Sequence, residues 1–389
     1  MSNNPEPEPQ TAPEAPAAVP SFNNSYIITN RRYPYTYLTD SRTDVVPLPP
    51  GELYFSTATG PYDPSHEDYS NVTKNPGGFL SALKADLSQT VDANGHANLA
   101  VYVHGLGNAY DDAIAATADF GTALATLGNY RGLVIGFSWP SYGELVAGLS
   151  SYYATGLPPQ FTSGTIRDNI NGSVDSFGAM IHMLLSLNTT NRPLNLSLLT
   201  HSEGNFMLMW GMLALQQTGF TGSIANAVMM AADISGGMLQ QGQYGQAISK
   251  YCKNVNVYYS GCDDVLGYSN YNFVAFHNQL YPTRLGLIGP YAYPQARPVP
   301  KNVSGIDCSQ VTVDLGLISN VHSCYMSVSE IVADISSTLR SANNPGRVLY
   351  PGSPNPSYYL KPSVNHTAAC APRPSLSRRG KPRLPGGTM

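Results

Sequence analysis

Short apolar runs alternate with amphipathic runs along the middle of this chain. Leu99-Ala100-Val101-Tyr102-Val103 is rich in β-formers and stops at His104-Gly105. Residues 109–127 are Ala-rich with helical spacing. Leu133-Val134-Ile135-Gly136-Phe137 reads as the next strand, stopped by Trp139-Pro140. Residues 167–187 read as a long helix, 194–200 as a strand, and 206–217 as the helix after it. Residues 227–232 and 255–259 predict two more strands, and 326–339 a closing helix. A further pair of strands is expected between Tyr26 and Thr57. Continuous apolar strands separated by helices predict one α/β domain, a mostly parallel central sheet with helices on both faces.

The ends of the chain break this rhythm. Residues 1–24 are dominated by Pro, Glu and Ala and cannot bury enough surface to offset their ordering entropy, so a disordered tail is expected there. Residues 343–389 turn Pro-rich again and end on a basic stretch with Arg378, Arg379, Lys381 and Arg383, read as a solvated C-terminal tail. The folded domain is therefore bounded at 25–342. Two stretches inside it, 141–165 and 267–300, are rich in Tyr, Gly and Pro. Both follow strand C-terminal ends, the side of an open α/β sheet where ligands bind, and read as loops that shape the site. The apolar content of 145–161 suggests an apolar pocket.

Composition narrows the function classes. Among 389 residues, 42% are hydrophobic, enough for a substantial core, and only 12% are charged. The net charge of −4 gives no basic excess for nucleic acid. No apolar run is long enough for a transmembrane segment. The N-terminus lacks a basic, apolar secretory signal, which points to the cytoplasm, while low charge and abundant Tyr, Asn and Ser would suit non-classical export. Five cysteines without CxxC spacing argue against a zinc knuckle; one disulfide among Cys252, Cys262, Cys308 and Cys324 is compatible with export. HExxH and HxHxDH patterns are absent, so metal-dependent hydrolysis has no support and no cofactor or metal is expected.

The informative chemistry is at Ser202, in Thr200-His201-Ser202-Glu203-Gly204, where the 194–200 strand turns into a helix. A serine between small residues at a strand-to-helix turn is a nucleophile elbow. Thr200 stands where glycine is usual. Ser141-Tyr142-Gly143 and Ser235-Gly236-Gly237 lack that setting. A serine hydroxyl needs a base, a group that orients the base, and donors for the oxyanion. His322, late in the domain, is the candidate base, with His277 its competitor. Asp263, after the 255–259 strand, is the candidate acid, with Asp233 and Asp264 as alternatives. The oxyanion donors expected are the backbone N–H groups of Glu203 and of Leu106, the latter in His104-Gly105-Leu106-Gly107.

The ordered set resembles a bacterial family of α/β-hydrolases within the esterase/lipase superfamily, long catalogued as a domain of unknown function. The resemblance is carried by Val103-His104-Gly105-Leu106-Gly107-Asn108, Phe137-Ser138-Trp139-Pro140-Ser141, His201-Ser202-Glu203-Gly204-Asn205 and Ala231-Ala232-Asp233. It continues through Tyr259-Ser260-Gly261-Cys262-Asp263-Asp264-Val265-Leu266, Arg284-Leu285-Gly286-Leu287-Ile288-Gly289-Pro290 and Val321-His322-Ser323-Cys324-Tyr325. It implies an α/β-hydrolase fold, with Asp263 as acid and His322 as base. Glu203 departs from it, since methionine or another neutral residue is expected there. The expected activity is a serine esterase or lipase acting on a small-molecule or lipid-like ester. An amidase or peptidase with the same triad, or a binding module on a hydrolase fold, are the alternatives.

Overall fold

A computed structural model describes residues 24–31, 49–59, 72–108, 110–141, 165–267, 269, 283–292, 297–312, 318–353 and 355–363. Ten strands form one sheet: β1 (Asn24–Thr29), β2 (Tyr54–Thr59), β3 (Ala97–Val103), β4 (Leu133–Ser138), β5 (Leu194–His201), β6 (Ile224–Met230), β7 (Cys252–Tyr259), β8 (Val303–Asp307), β9 (Arg347–Leu349) and β10 (Ser357–Leu360). Their order is β2-β1-β4-β3-β5-β6-β7-β8-β10-β9. Every pairing is parallel except the two at the edges, β1 with β2 and β10 with β9.

The longer helices are α1 (Pro76–Leu87), α2 (Tyr110–Thr126), α3 (Thr165–Leu185), α4 (Gly204–Gln217), α5 (Gln246–Tyr251) and α6 (Ser329–Leu339). Local chemistry explains their limits. Asn75 caps α1 by accepting from the Gly77 N–H, and Pro76 sits in the first turn, where its missing N–H costs nothing. Asp111 and Asp112 complement the positive end of α2.

Strand residues alternate between two cores, as the period of two requires. Leu99, Val101 and Val103 face one side with Leu196, Leu198, Ala227, Met229, Val255 and Val257, covered by α1, α3, α4 and α5. Ala100, Tyr102, Leu199, Val228, Met230 and Tyr258 face the other, covered by Phe120 and Leu124 of α2 and by Ile331, Ile335 and Leu339 of α6. The chain leaves β3 for β4 on one side, then crosses to β5 on the other. In a doubly covered sheet such a reversal marks where ligands bind, here at the C-terminal ends of β3 and β5.

Two expectations need correction. Strands β9 and β10 lie within residues assigned to the C-terminal tail, and β10 pairs in parallel with β8, so the folded unit runs past 342. Beside this pairing and the buried Leu360, polar contacts hold them: buried Asp334 of α6 receives Arg347 Nε at 2.9 Å, Asn344 Nδ2 at 2.8 Å and the Tyr258 hydroxyl at 2.7 Å. The closing helix starts at Ser329 rather than at 326, because a 3₁₀ turn, Cys324–Met326, precedes it. Most of the two loop stretches, 142–164 and 270–282, lies outside the described residues, and His277 with them.

Candidate active site

Ser202 follows β5 directly and has φ 51°, in the left-handed region that a non-glycine residue rarely occupies. Such a conformation costs on the order of 1–3 kcal/mol and persists only where its surroundings over-determine it. Here they do. The Ser202 N–H donates to Met230 O at 3.0 Å, and Ser202 O accepts from the Asp233 N–H at 3.2 Å and from Asn205 Nδ2 at 3.0 Å. Both peptide groups of the bend are thus tied to the end of β6 or to α4. Gly204 must be glycine, since a Cβ there would meet Val103 O at 2.5 Å and His104 O at 2.7 Å, backbone atoms that cannot give way. Thr200 replaces glycine without conflict, because its hydroxyl donates to Asn205 Oδ1 at 2.7 Å. The Ser202 hydroxyl makes no hydrogen bond to a described residue.

His322 Nδ1 lies 2.9 Å from Asp263 Oδ2. Asp263 is 1% exposed, and its other oxygen caps the next helical turn by accepting from the Leu266 N–H at 3.0 Å. One carboxylate oxygen is therefore left to face the imidazole. His322 lies in the last turn of a short helix, Ile318–Ser323. It reaches the elbow through His201: the rings are 4.9 Å apart, and His201 Nε2 is 2.8 Å from His322 O. A carbonyl can only accept, so Nε2 of His201 carries the proton. Burial first, and His322 second, push the His201 pKa down to about 4, so it stays neutral beside the His322 ring.

The alternative acids have other company. Asp233 Oδ1 takes Arg284 Nε at 3.0 Å and the Ser269 hydroxyl at 2.7 Å. Asp264 is half-buried and is not paired with His322 in this arrangement. Arg284 opens a short helix, Leu285–Ile288, that ties the ends of β6 and β7 together. The Gly286 N–H donates to Ala232 O at 2.9 Å, and Gly286 O accepts from the Ser260 N–H at 3.0 Å.

Beyond β3, Gly105 packs against the elbow: a Cβ there would lie 2.9 Å from Ser202 Cβ. Neither the Leu106 nor the Glu203 N–H donates to an acceptor among the described residues. His104 is 1% exposed and stacks on Trp139, with ring centroids 5.6 Å apart. Its Nε2 accepts from the Trp139 N–H at 3.1 Å, so its proton is on Nδ1, which donates to Gly105 O at 2.9 Å. Burial, reinforced by Arg31, pushes its pKa down to about 3, so it remains neutral. Arg31, just beyond β1, is buried and was not legible as a site residue in the sequence; no motif surrounds it. Its Nε donates to Ser138 Oγ at 2.8 Å and its Nη2 to Asn108 O at 2.8 Å.

Glu203 is 2% exposed, and its Oε2 has no hydrogen-bond partner among the described residues. Burial, and then the Asp233 carboxylate, raise its pKa well above the usual carboxylate value. Cys262, beside Asp263, is disulfide-bonded. Cys252, Cys308 and Cys324 are free and buried, so no bond forms among Cys252, Cys262, Cys308 and Cys324. Among the described residues, no group of three or more His, Cys, Asp or Glu could hold a metal ion. No described helix is long and apolar enough to cross a membrane.

No curated protein matches this chain. Similar solved structures include a hormone-sensitive lipase from a metagenome library, at 9% identity over 75% of this chain and 83% of its own, with a TM-score of 0.32. The siderophore hydrolase EstB from Aspergillus nidulans is similar over 83% of this chain and 97% of its own, at 13% identity and a TM-score of 0.38. An esterase from Pyrobaculum calidifontis is similar over 63% and 76%, at 11% identity and a TM-score of 0.29. Residues 80–339 match a family described as alpha/beta hydrolase of unknown function (DUF900), a span that includes Leu106, Ser202, Asp263 and His322. This chain belongs to that family.

Proposed function

We propose that this protein is a serine hydrolase that cleaves carboxylic esters through an acyl-enzyme. The observation that carries the reading is the Asp263–His322 pair, at 2.9 Å, brought against the residue that precedes a serine in the left-handed conformation. In the first half-reaction the Ser202 oxygen attacks the ester carbonyl, and His322 Nε2 takes the hydroxyl proton. Asp263 stays ionised, holds the proton on Nδ1 and stabilises the imidazolium. The carbonyl oxygen, now negative, takes hydrogen bonds from the Leu106 and Glu203 N–H groups. Collapse of the tetrahedral adduct breaks the bond to the alkoxy oxygen, which leaves with the proton from His322. Water then repeats the cycle on the acyl-enzyme, with His322 as base again.

The test compares hydrolysis of short- and long-chain p-nitrophenyl esters by wild type and Ser202→Ala, together with covalent labelling by a fluorophosphonate. Loss of the nucleophile is expected to lower kcat by about 10⁶-fold and to abolish labelling. Equal rates in the two proteins would remove the proposal.

A further inference from the structure

We propose that Asn108, acting with His104, fixes the Gly105–Leu106 peptide so that its N–H is aimed at the developing oxyanion. Asn108 is thus a positioning residue for the reaction, an assignment that rests on the serine-hydrolase reading above.

The argument begins with the peptide group. A trans peptide is planar, so its carbonyl oxygen and its N–H point in opposite directions. The N–H of Leu106 and the carbonyl of Gly105 belong to one such plane, and whatever holds the oxygen also sets the direction of the N–H. Gly105 makes an external hold necessary. A Cβ at this position would press on Ser202 Cβ at 2.9 Å, so glycine is required for the loop to reach the elbow. The same missing Cβ leaves the residue free to rotate, and rotation of the peptide meets little local resistance.

Two donors supply the hold. His104 Nδ1 donates to Gly105 O at 2.9 Å, and Asn108 Nδ2 donates to the same oxygen at 3.2 Å. The amide of Asn108 also donates to Leu106 O at 3.1 Å, and so fixes the next plane, whose N–H, that of Gly107, donates to Ser141 O at 3.2 Å. Two successive peptides are therefore set by one side chain. Asn108 is itself anchored. Its N–H donates to Ser141 Oγ at 3.1 Å, and its carbonyl accepts from Arg31 Nη2 at 2.8 Å and from Ser141 Oγ at 3.2 Å. The Leu106 N–H, at the far side of the locked plane, donates to no described residue. An N–H held in place and left without an internal acceptor is what an oxyanion donor requires.

The experiment uses the full chain, with rates expressed per site titrated by a fluorophosphonate, so that unfolded protein does not count. Asn108→Ala removes both hydrogen bonds of the side-chain amide and leaves that of His104. Asn108→Asp keeps the shape but turns acceptors toward two carbonyls. For each variant, kcat and KM on a p-nitrophenyl ester and the affinity for an alkyl trifluoromethyl ketone are measured. The ketone forms a tetrahedral adduct with the serine. A misaimed donor forfeits part of the contribution of an oxyanion donor, so kcat is expected to fall roughly 10- to 100-fold. Ketone affinity should fall by a similar factor, while KM and the pH midpoint of kcat/KM stay where they are. Retention of wild-type kcat in Asn108→Ala, or loss of kcat with unchanged ketone affinity, overturns the proposal. If wild type is labelled and active, that failure belongs to Asn108 alone. A wild type that neither labels at Ser202 nor cleaves the ester overturns the hydrolase reading, and this assignment with it.

Discussion

Two aspartates follow neighbouring parallel strands, Asp233 after β6 and Asp263 after β7, and both are buried. Their partners separate them. Asp263 faces an imidazole that can gain a charge during a reaction, and its second oxygen is used by a helical turn. Asp233 faces Arg284, a permanent cation, with Ser269 completing the contact. A carboxylate bound to a fixed charge has nothing to respond to; it neutralises a buried guanidinium and helps hold the ends of the strands together. Position at a strand end therefore does not tell the two carboxylates apart. The partner does.

The sharpest way to break this comparison is Asp263→Asn. It should preserve the fold while lowering kcat by about 10⁴-fold, because the imidazole loses its tautomer and the charge opposite its imidazolium. Steady-state kinetics on the ester, with circular dichroism as the folding control, read the outcome; a near-wild-type kcat would return the acid role to Asp233. The complementary change, Asp233→Asn, removes the negative charge that faces buried Arg284. It should cost on the order of 3 kcal/mol of stability in denaturant titrations, while kcat per titrated site stays within a few-fold. A smaller effect concerns the third carboxyl of this region. Glu203 has a raised folded-state pKa, so it favours the folded state while protonated. That contribution is present below the unfolded carboxyl pKa and is lost as pH rises toward the folded one. Glu203→Gln removes the loss, so melting temperatures of variant and wild type should diverge in the variant's favour as pH is raised. Parallel curves across that range would show that the Glu203 pKa is not raised in the fold.

Much of this arrangement was legible in the residues, for reasons that can be named. Strands β3 to β7 are apolar on both faces because helices cover both, and that leaves runs such as Leu99 to Val103. The elbow was visible because its bend demands small neighbours, and Gly204 proves to have no room for a Cβ. Asp263 and His322 followed from chain order. Illegible were features whose signal is a distant partner. Strand β8 (Val303–Asp307) carries Ser304 and Gly305 and is specified by its place between β7 and β10. The β9–β10 hairpin hangs on contacts with Asp334 in another element. Arg31 precedes the loop it holds by about seventy residues, and nothing near it in the chain announces the role. Thr200 looked like a blemish in the motif, and only its bond to Asn205 shows how the extra hydroxyl is accommodated.

The contact of Arg347, Asn344 and Tyr258 with Asp334 bears on how far this polypeptide can be shortened. Ending the chain at Ala342 would delete two of those three donors and leave a negative charge sealed behind α6 with one phenol to answer it. It would also bare the open side of β8, whose hydrogen-bonding groups would then invite pairing with a neighbouring molecule. The shortest autonomous version should therefore retain Leu360, beyond the last residue that family membership alone would recommend.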